Sequence, residues 1–180
     1  RALLHSRRLE VWHDQFRDAI MICEAGVTRE WTDHDDIRLL IWLQSQVGIS
    51  KISMDSARIG LTAYALAHAS DELTSWIDGL VWDGVDRLQT MMTDAYGCPA
   101  TEYYSAVGRC WLISMIARAL KPGCLVDTMT VLVGPQGQRK SSSIEALVGP
   151  EWYAGLSQDF GGRDWLQSID GKWLIEIPDL

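Results

Sequence analysis

The chain has no CxxC pair. Cys23, Cys98, Cys110 and Cys124 lie far apart, and His5, His13, His34 and His68 share no ligand spacing with them. That excludes a structural zinc site of the usual spacing and points to reduced thiols. Long apolar runs are missing too. The longest, "CWLISMIA" from Cys110 to Ala117, is closed by Arg118 and falls far short of a membrane span. No secretory signal pattern is present, so the expected setting is cytoplasmic, with no membrane partner. Positive charge is in deficit, with 16 Lys and Arg against 24 Asp and Glu and a formal charge of −8. The surface as a whole therefore does not attract polyanions, and any contact with DNA is expected to be weak and local. Arg1, Arg7 and Arg8 cluster at the start and read as a solvated terminal face. Phenylalanine is scarce, two against nine tryptophans, and the tryptophans are expected as core or interface anchors. Repeats and low-complexity segments are absent. An initiating methionine is lacking, and Leu180 directly follows an apolar strand-like run; both ends read as cut.

What is present is material for a core. With 47% hydrophobic residues over 180 positions, the chain can form one large domain or two small ones. The first two thirds, residues 1–127, read as a helical region. "DHDDIRLLIWLQSQ" opens with acids that suit a helix N-terminus and sets Ile37, Leu40, Ile41 and Leu43 or Gln44 at helical spacing before Gly48. "SMDSARIGLTAYALAHAS" repeats the scheme with Ile59, Ala63, Leu66 and Ala67 on one side. Together they read as bundle packing, with a DNA-reading helix-turn-helix as the alternative. "DELTSWIDGLVWDGVDRLQTMMTDAYG" predicts two helices hinged at Trp82, Asp83 and Gly84, and "TEYYSAVGRCWLISMIARAL" a long helix capped by Thr101 and ended by Pro122 and Gly123.

From residue 128 the texture changes to α/β. "MTVLV", "EWYAGL" and "KWLIEI" predict strands, while "SSSIEALVG" and "GRDWLQSI" predict helices between them, and this alternation implies a parallel sheet. The expected fold class is thus α+β, a helical N-terminal region followed by an incomplete α/β sheet of the phosphate-loop NTPase kind.

The first strand leads into Gly134, Pro135, Gln136, Gly137, Gln138, Arg139, Lys140, Ser141 and Ser142. In a phosphate-binding loop, backbone N–H groups and a helix N-terminus converge on an anion, so small residues are required there. Read as G-x-x-x-x-G-K-[ST], the run departs from the pattern only at Arg139, where glycine is wanted. Lys140 would reach the β- and γ-phosphates of ATP, and the Ser141 hydroxyl would ligate Mg²⁺. The bland reading is a Gly-Pro turn with a solvated lysine and serines. Phosphoryl transfer also needs an acid on a neighbouring strand, and Glu176 in an apolar strand, with Asp179 three residues on, supplies candidates for catalysis and, at Glu176, for the metal. Against that stands an exposed acid where a strand ends. Arg139 would crowd the phosphates if its Cβ points inward, or donate to them if its guanidinium swings over the γ-phosphate.

The combination of "WIDGLVWDGVDRL", "YYSAVGRCWLISMIARALKPGCLVDTMTVLVGPQGQRKSS", "EWYAGL" and "DGKWLIEIPDL", in one order over residues 33–180, resembles the virulence-associated protein E family of phages, plasmids and genomic islands. That family resembles the ATPase part of primase–helicase replication proteins, related to superfamily 3 helicases. The resemblance implies an ATP-driven DNA replication ATPase, normally a homo-oligomeric ring, with a primase domain or replisome partner. It places Gly134, Gly137, Lys140 and Ser141 on the phosphate loop and Glu176 and Asp179 on the second acidic motif. Trp82, Asp83, Gly84, Arg87 and Leu88 match a tryptophan-aspartate-glycine segment, for which we expect a structural role with Trp82 as a core anchor. It further implies a central strand, a polar sensor and a subunit-bridging arginine beyond Leu180, so that residues 1–180 alone should show no meaningful ATP hydrolysis and the sheet should leave a gap or a mobile edge between Val131 and Ile175. The alternative is an interaction module whose degenerate loop docks a replication partner without catalysis. A small-molecule kinase is a third reading, disfavoured because no lid or acceptor segment is evident.

Overall fold

The computed structural model describes residues 9–156 and 168–178. The chain divides into two compact units, Arg1–Ser75 and Trp76–Leu180.

The first unit opens with a sheet where helix was expected. Strands β1 (Leu9–Asp14), β2 (Ala19–Glu24) and β3 (Val27–Glu30) form an antiparallel meander. Val11 faces Ile22 across the first pair, and Glu24 faces Val27 across the second. The turn between β2 and β3 is Ala25–Gly26, with φ of 53° and 83°. Two left-handed residues in a two-residue loop match the twist of a hairpin, but alanine does not announce such a turn. Two helices follow, α1 (Asp33–Ser45) and α2 (Met54–Ala67). Their existence matches the sequence reading; their buried faces do not. In α2 the buried residues are Ala57, Leu61 and Ala65, four apart, while Ile59 and Leu66 are exposed. Leu61 and Ala65 pack with Val11 and Ile22. In α1, Ile37 and Ile41 are exposed, and the buried residues are Asp35 and Asp36.

Those acids are buried because they are satisfied. Asp35 completes a capping box with Thr32 and accepts both guanidinium nitrogens of Arg29, at 2.6 and 2.8 Å. Asp36 accepts from Trp31 Nε1 at 2.9 Å and from Arg58 Nε. Asp14, fully buried, accepts from Arg17 at 2.6 Å, and Arg17 also pairs with Glu72.

Helix α3 (Glu72–Asp78) ends sooner than the sequence suggests, and α4 (Met91–Tyr96) begins later. The stretch between, residues 79–90, is an ordered non-helical loop rather than a hinge. Asp83 holds it: Oδ1 accepts from the Val85 N–H, and both carboxylate oxygens accept from Arg87. Trp82 is 75% exposed, so it is no core anchor. Its indole instead donates to the Val85 carbonyl at 3.2 Å.

Helix α5 (Glu102–Leu120) is the long helix expected, with Thr101 accepting at its N-cap. Residues 129–133 are not a strand; exposure alternates along them, and Met129, Val131 and Val133 are open to solvent. The β-branched pattern is correct for one covered face, but a strand needs a ladder partner, and among the described residues this segment has none. Helix α6 (Lys140–Val148) leads to β4 (Tyr153–Gly155), which pairs in parallel with β5 (Leu174–Glu176). No ladder joins residues 129–133 to β5 among the described residues. Trp76, Trp152 and Trp173 cluster beside this pair, with ring centroids 5.1 to 6.4 Å apart. Among the described residues the architecture is α+β with two small sheets. No helix among the described residues is long and apolar enough to cross a membrane. The expected helix "GRDWLQSI" and the N-terminal arginines lie mostly or wholly outside the described residues.

Candidate functional site

Residues 134–139 form a loop that turns the chain into α6. Gly137 has φ of 83° and Arg139, at the N-cap, has φ of 56° and ψ of 31°. The position where the phosphate-loop pattern wants glycine therefore has the backbone conformation that favours glycine. Arginine occupies it at a strain of about 1 kcal/mol. Its side chain is exposed and forms no hydrogen bond or ion pair among the described residues.

The helix that follows offers its N-terminus uncapped. Arg139 provides no side-chain acceptor, and the first turn holds no acid. The first intrahelical donor is the Ser143 N–H, to the Arg139 carbonyl at 3.0 Å, so the amides of residues 140–142 have no partner within the helix. Such an end attracts an anion. Gln136, Gln138, Arg139 and Ser142 line the exposed outside of the loop and first turn.

Lys140 arches back over the loop. Its ammonium donates to the carbonyls of Gly134 and Pro135, at 2.9 and 3.0 Å. The side chain thus closes the loop from within.

Ser141 faces the other way. Its hydroxyl donates to Glu176 Oε1 at 2.8 Å, a contact made across 35 residues of sequence. The parallel register sets Gly155 opposite Glu176 and Tyr153 opposite Leu174, so Tyr153 and Glu176 share a face diagonally. The Tyr153 hydroxyl donates to Glu176 Oε2. Burial, and then the Glu176 carboxylate, push the ionisation of Tyr153 well above the ordinary tyrosine range. Among the described residues Glu176 forms no ion pair. Both its side-chain partners are neutral hydroxyls.

Lys140, Ser141 and Glu176 are therefore brought together with the loop, whereas Asp179 lies outside the described residues. Tyr153 was not singled out in the sequence. Its only signal is the spacing Tyr153-x-Gly155 against Leu174-x-Glu176, which has meaning only once the register is known. Ser143 entered the sequence reading only as part of the helix "SSSIEALVG"; its hydroxyl donates to the Lys140 carbonyl at 2.6 Å and contacts the Tyr96 hydroxyl at 3.2 Å.

The donor set fits a hard cation carried in with phosphate. A serine hydroxyl that gives its proton to a carboxylate keeps its lone pairs free for a metal. No group of three His, Cys, Asp or Glu side chains converges among the described residues, so an all-protein cage is absent there. Mg²⁺ suits such a place, since it retains waters and binds through one or two protein oxygens plus phosphate.

Comparison with known proteins gives one family. The profile of the virulence-associated protein E-like domain matches residues 77–180, more than half of the chain. No curated protein matches it.

Proposed function

The chain belongs to the virulence-associated protein E-like domain family, and from that premise we propose that residues 134–142 and Glu176 form the ATP- and Mg²⁺-binding part of an ATP-hydrolysing, helicase-like module of a phage or mobile-element DNA replication protein. The observation that carries this reading is the Ser141–Glu176 hydrogen bond of 2.8 Å beneath an uncapped helix N-terminus. A solvated turn would not aim a loop serine at an acid on a separate strand. In this reading the free amides of residues 140–142 and the loop receive the phosphates. Lys140 exchanges two carbonyls for phosphate oxygens, a stronger, charge-assisted partner. Ser141 supplies a metal ligand, and Glu176 fixes that hydroxyl and orients water. Mg²⁺, when bound, neutralises charge on the phosphoryl oxygens. A homo-oligomeric ring, weak local DNA contact and a primase or replisome partner complete the proposal.

The interaction-module alternative draws support from the loop of residues 79–90, where Val81 and Trp82 are 92% and 75% exposed on an ordered turn. The two readings separate at Lys140. Titration with a fluorescent ATP analogue and Mg²⁺ should give saturable binding that Lys140→Ala abolishes. Equal signals from the two proteins would remove the loop from the account.

A further inference from the structure

Glu176 is held at both oxygens, by Ser141 at Oε1 and by Tyr153 at Oε2. We propose that Tyr153 is a positioning residue for the nucleotide site: it locks the Glu176 carboxylate so that Oε1 and the Ser141 hydroxyl face the loop together. The inference rests on reading residues 134–142 as a nucleotide site.

Three observations converge on it. A glutamate on a strand end rotates freely about its terminal bonds, and a hydroxyl donor on the far oxygen fixes that rotation. Tyr153 reaches this oxygen because the β4–β5 register puts it on the same face, two residue pairs before Glu176. Its ring is half-buried, which makes it a rigid donor. The donor is also a neutral hydroxyl. An arginine or lysine in that place would orient the carboxylate equally well but cancel the charge a cation needs. A tyrosine orients it and leaves the charge. Finally, the space is kept open. A Cβ at Gly155 would sit 3.1 Å from the Tyr153 oxygen, so the strand is bare where the hydroxyl passes.

The experiment compares affinity for a fluorescent ATP analogue with and without Mg²⁺ in the wild type, Tyr153→Phe, Glu176→Gln and the double variant. Among the described residues Tyr153 has no hydrogen bond to the loop, so metal-free affinity in Tyr153→Phe should stay within about twofold of wild type. The enhancement by Mg²⁺ should fall about tenfold or more, the loss of one hydrogen bond to a charged group. In the Glu176→Gln background, Tyr153→Phe should change nothing further. A merely structural tyrosine would move both affinities together. If Tyr153→Phe fails to fold, Gly155→Ala, which keeps the hydroxyl and crowds it, carries the same expectation. Full Mg²⁺ enhancement in these variants, with Lys140-dependent binding intact, would overturn the role of Tyr153 and leave the nucleotide site standing. Absence of Lys140-dependent binding in the wild type would remove both.

Discussion

At the scale of single residues, Arg139 carries a backbone cost that glycine would not. Its φ of 56° is left-handed, and its exposed side chain forms no bond among the described residues that would offset the strain. Arg139→Gly removes both that strain and a long side chain beside the phosphate position, and clearing that side chain should tighten nucleotide binding by about 1 kcal/mol, roughly fivefold. A clear loss of affinity would identify the guanidinium as a phosphate ligand. Asp35 is the second such residue. The Arg29 hydrogen bond, aided by the Thr32 N–H and hydroxyl and opposed by burial, holds its carboxyl well below the ordinary carboxylate range. A lowered folded value means that the unfolded chain binds the proton first. The stabilisation is thus complete above the unfolded value of about 3.9 and is lost as pH falls below it toward the folded value. Asp35→Asn should cost about 2 kcal/mol at neutral pH, allowing for screening at the partly exposed Arg29. Denaturant unfolding at pH 7 and pH 3 should show that cost shrinking in acid. A cost independent of pH would mean that the pair contributes through packing alone.

At the scale of elements, the hairpin of β2 and β3 turns through an alanine in a left-handed conformation. Ala25→Asn, which tolerates that conformation and creates Asn-Gly, should raise the stability of the first unit by about 0.5–1 kcal/mol. A lowered melting temperature would contradict the turn assignment. The same turn explains why this sheet escaped the sequence reading. Helices were legible where caps and acids marked them, as at Thr101 and at Asp33, Asp35 and Asp36. Strands β1 to β3 carry no comparable mark, since Asp18 and Ala25 take the positive φ that glycine or asparagine would have advertised. Helix α2 was legible but its face was not, because the helix is apolar on more than one side and only the sheet selects Ala57, Leu61 and Ala65. At the site, Lys140, Ser141 and Glu176 could be read from motif and strand context. Tyr153 could not, because its role depends on a pairing register.

At the scale of the whole molecule, charge limits what the protein can hold. With a net −8, DNA binding should be weak, steeply salt-dependent and insensitive to sequence, a behaviour checked by fluorescence anisotropy across a salt series. Tight sequence-specific binding would revive the helix-turn-helix reading of α1 and α2. The central claim, that the loop before α6 receives the phosphates of ATP, has a direct probe because the chain holds only four lysines, Lys51, Lys121, Lys140 and Lys172. Acylation rates at each, followed by mass spectrometry with and without Mg²⁺ and ATP, report which ammonium the nucleotide covers. Lys140 should be protected and Lys51, Lys121 and Lys172 unchanged; Lys140 acylated at the same rate under saturating nucleotide would contradict the account.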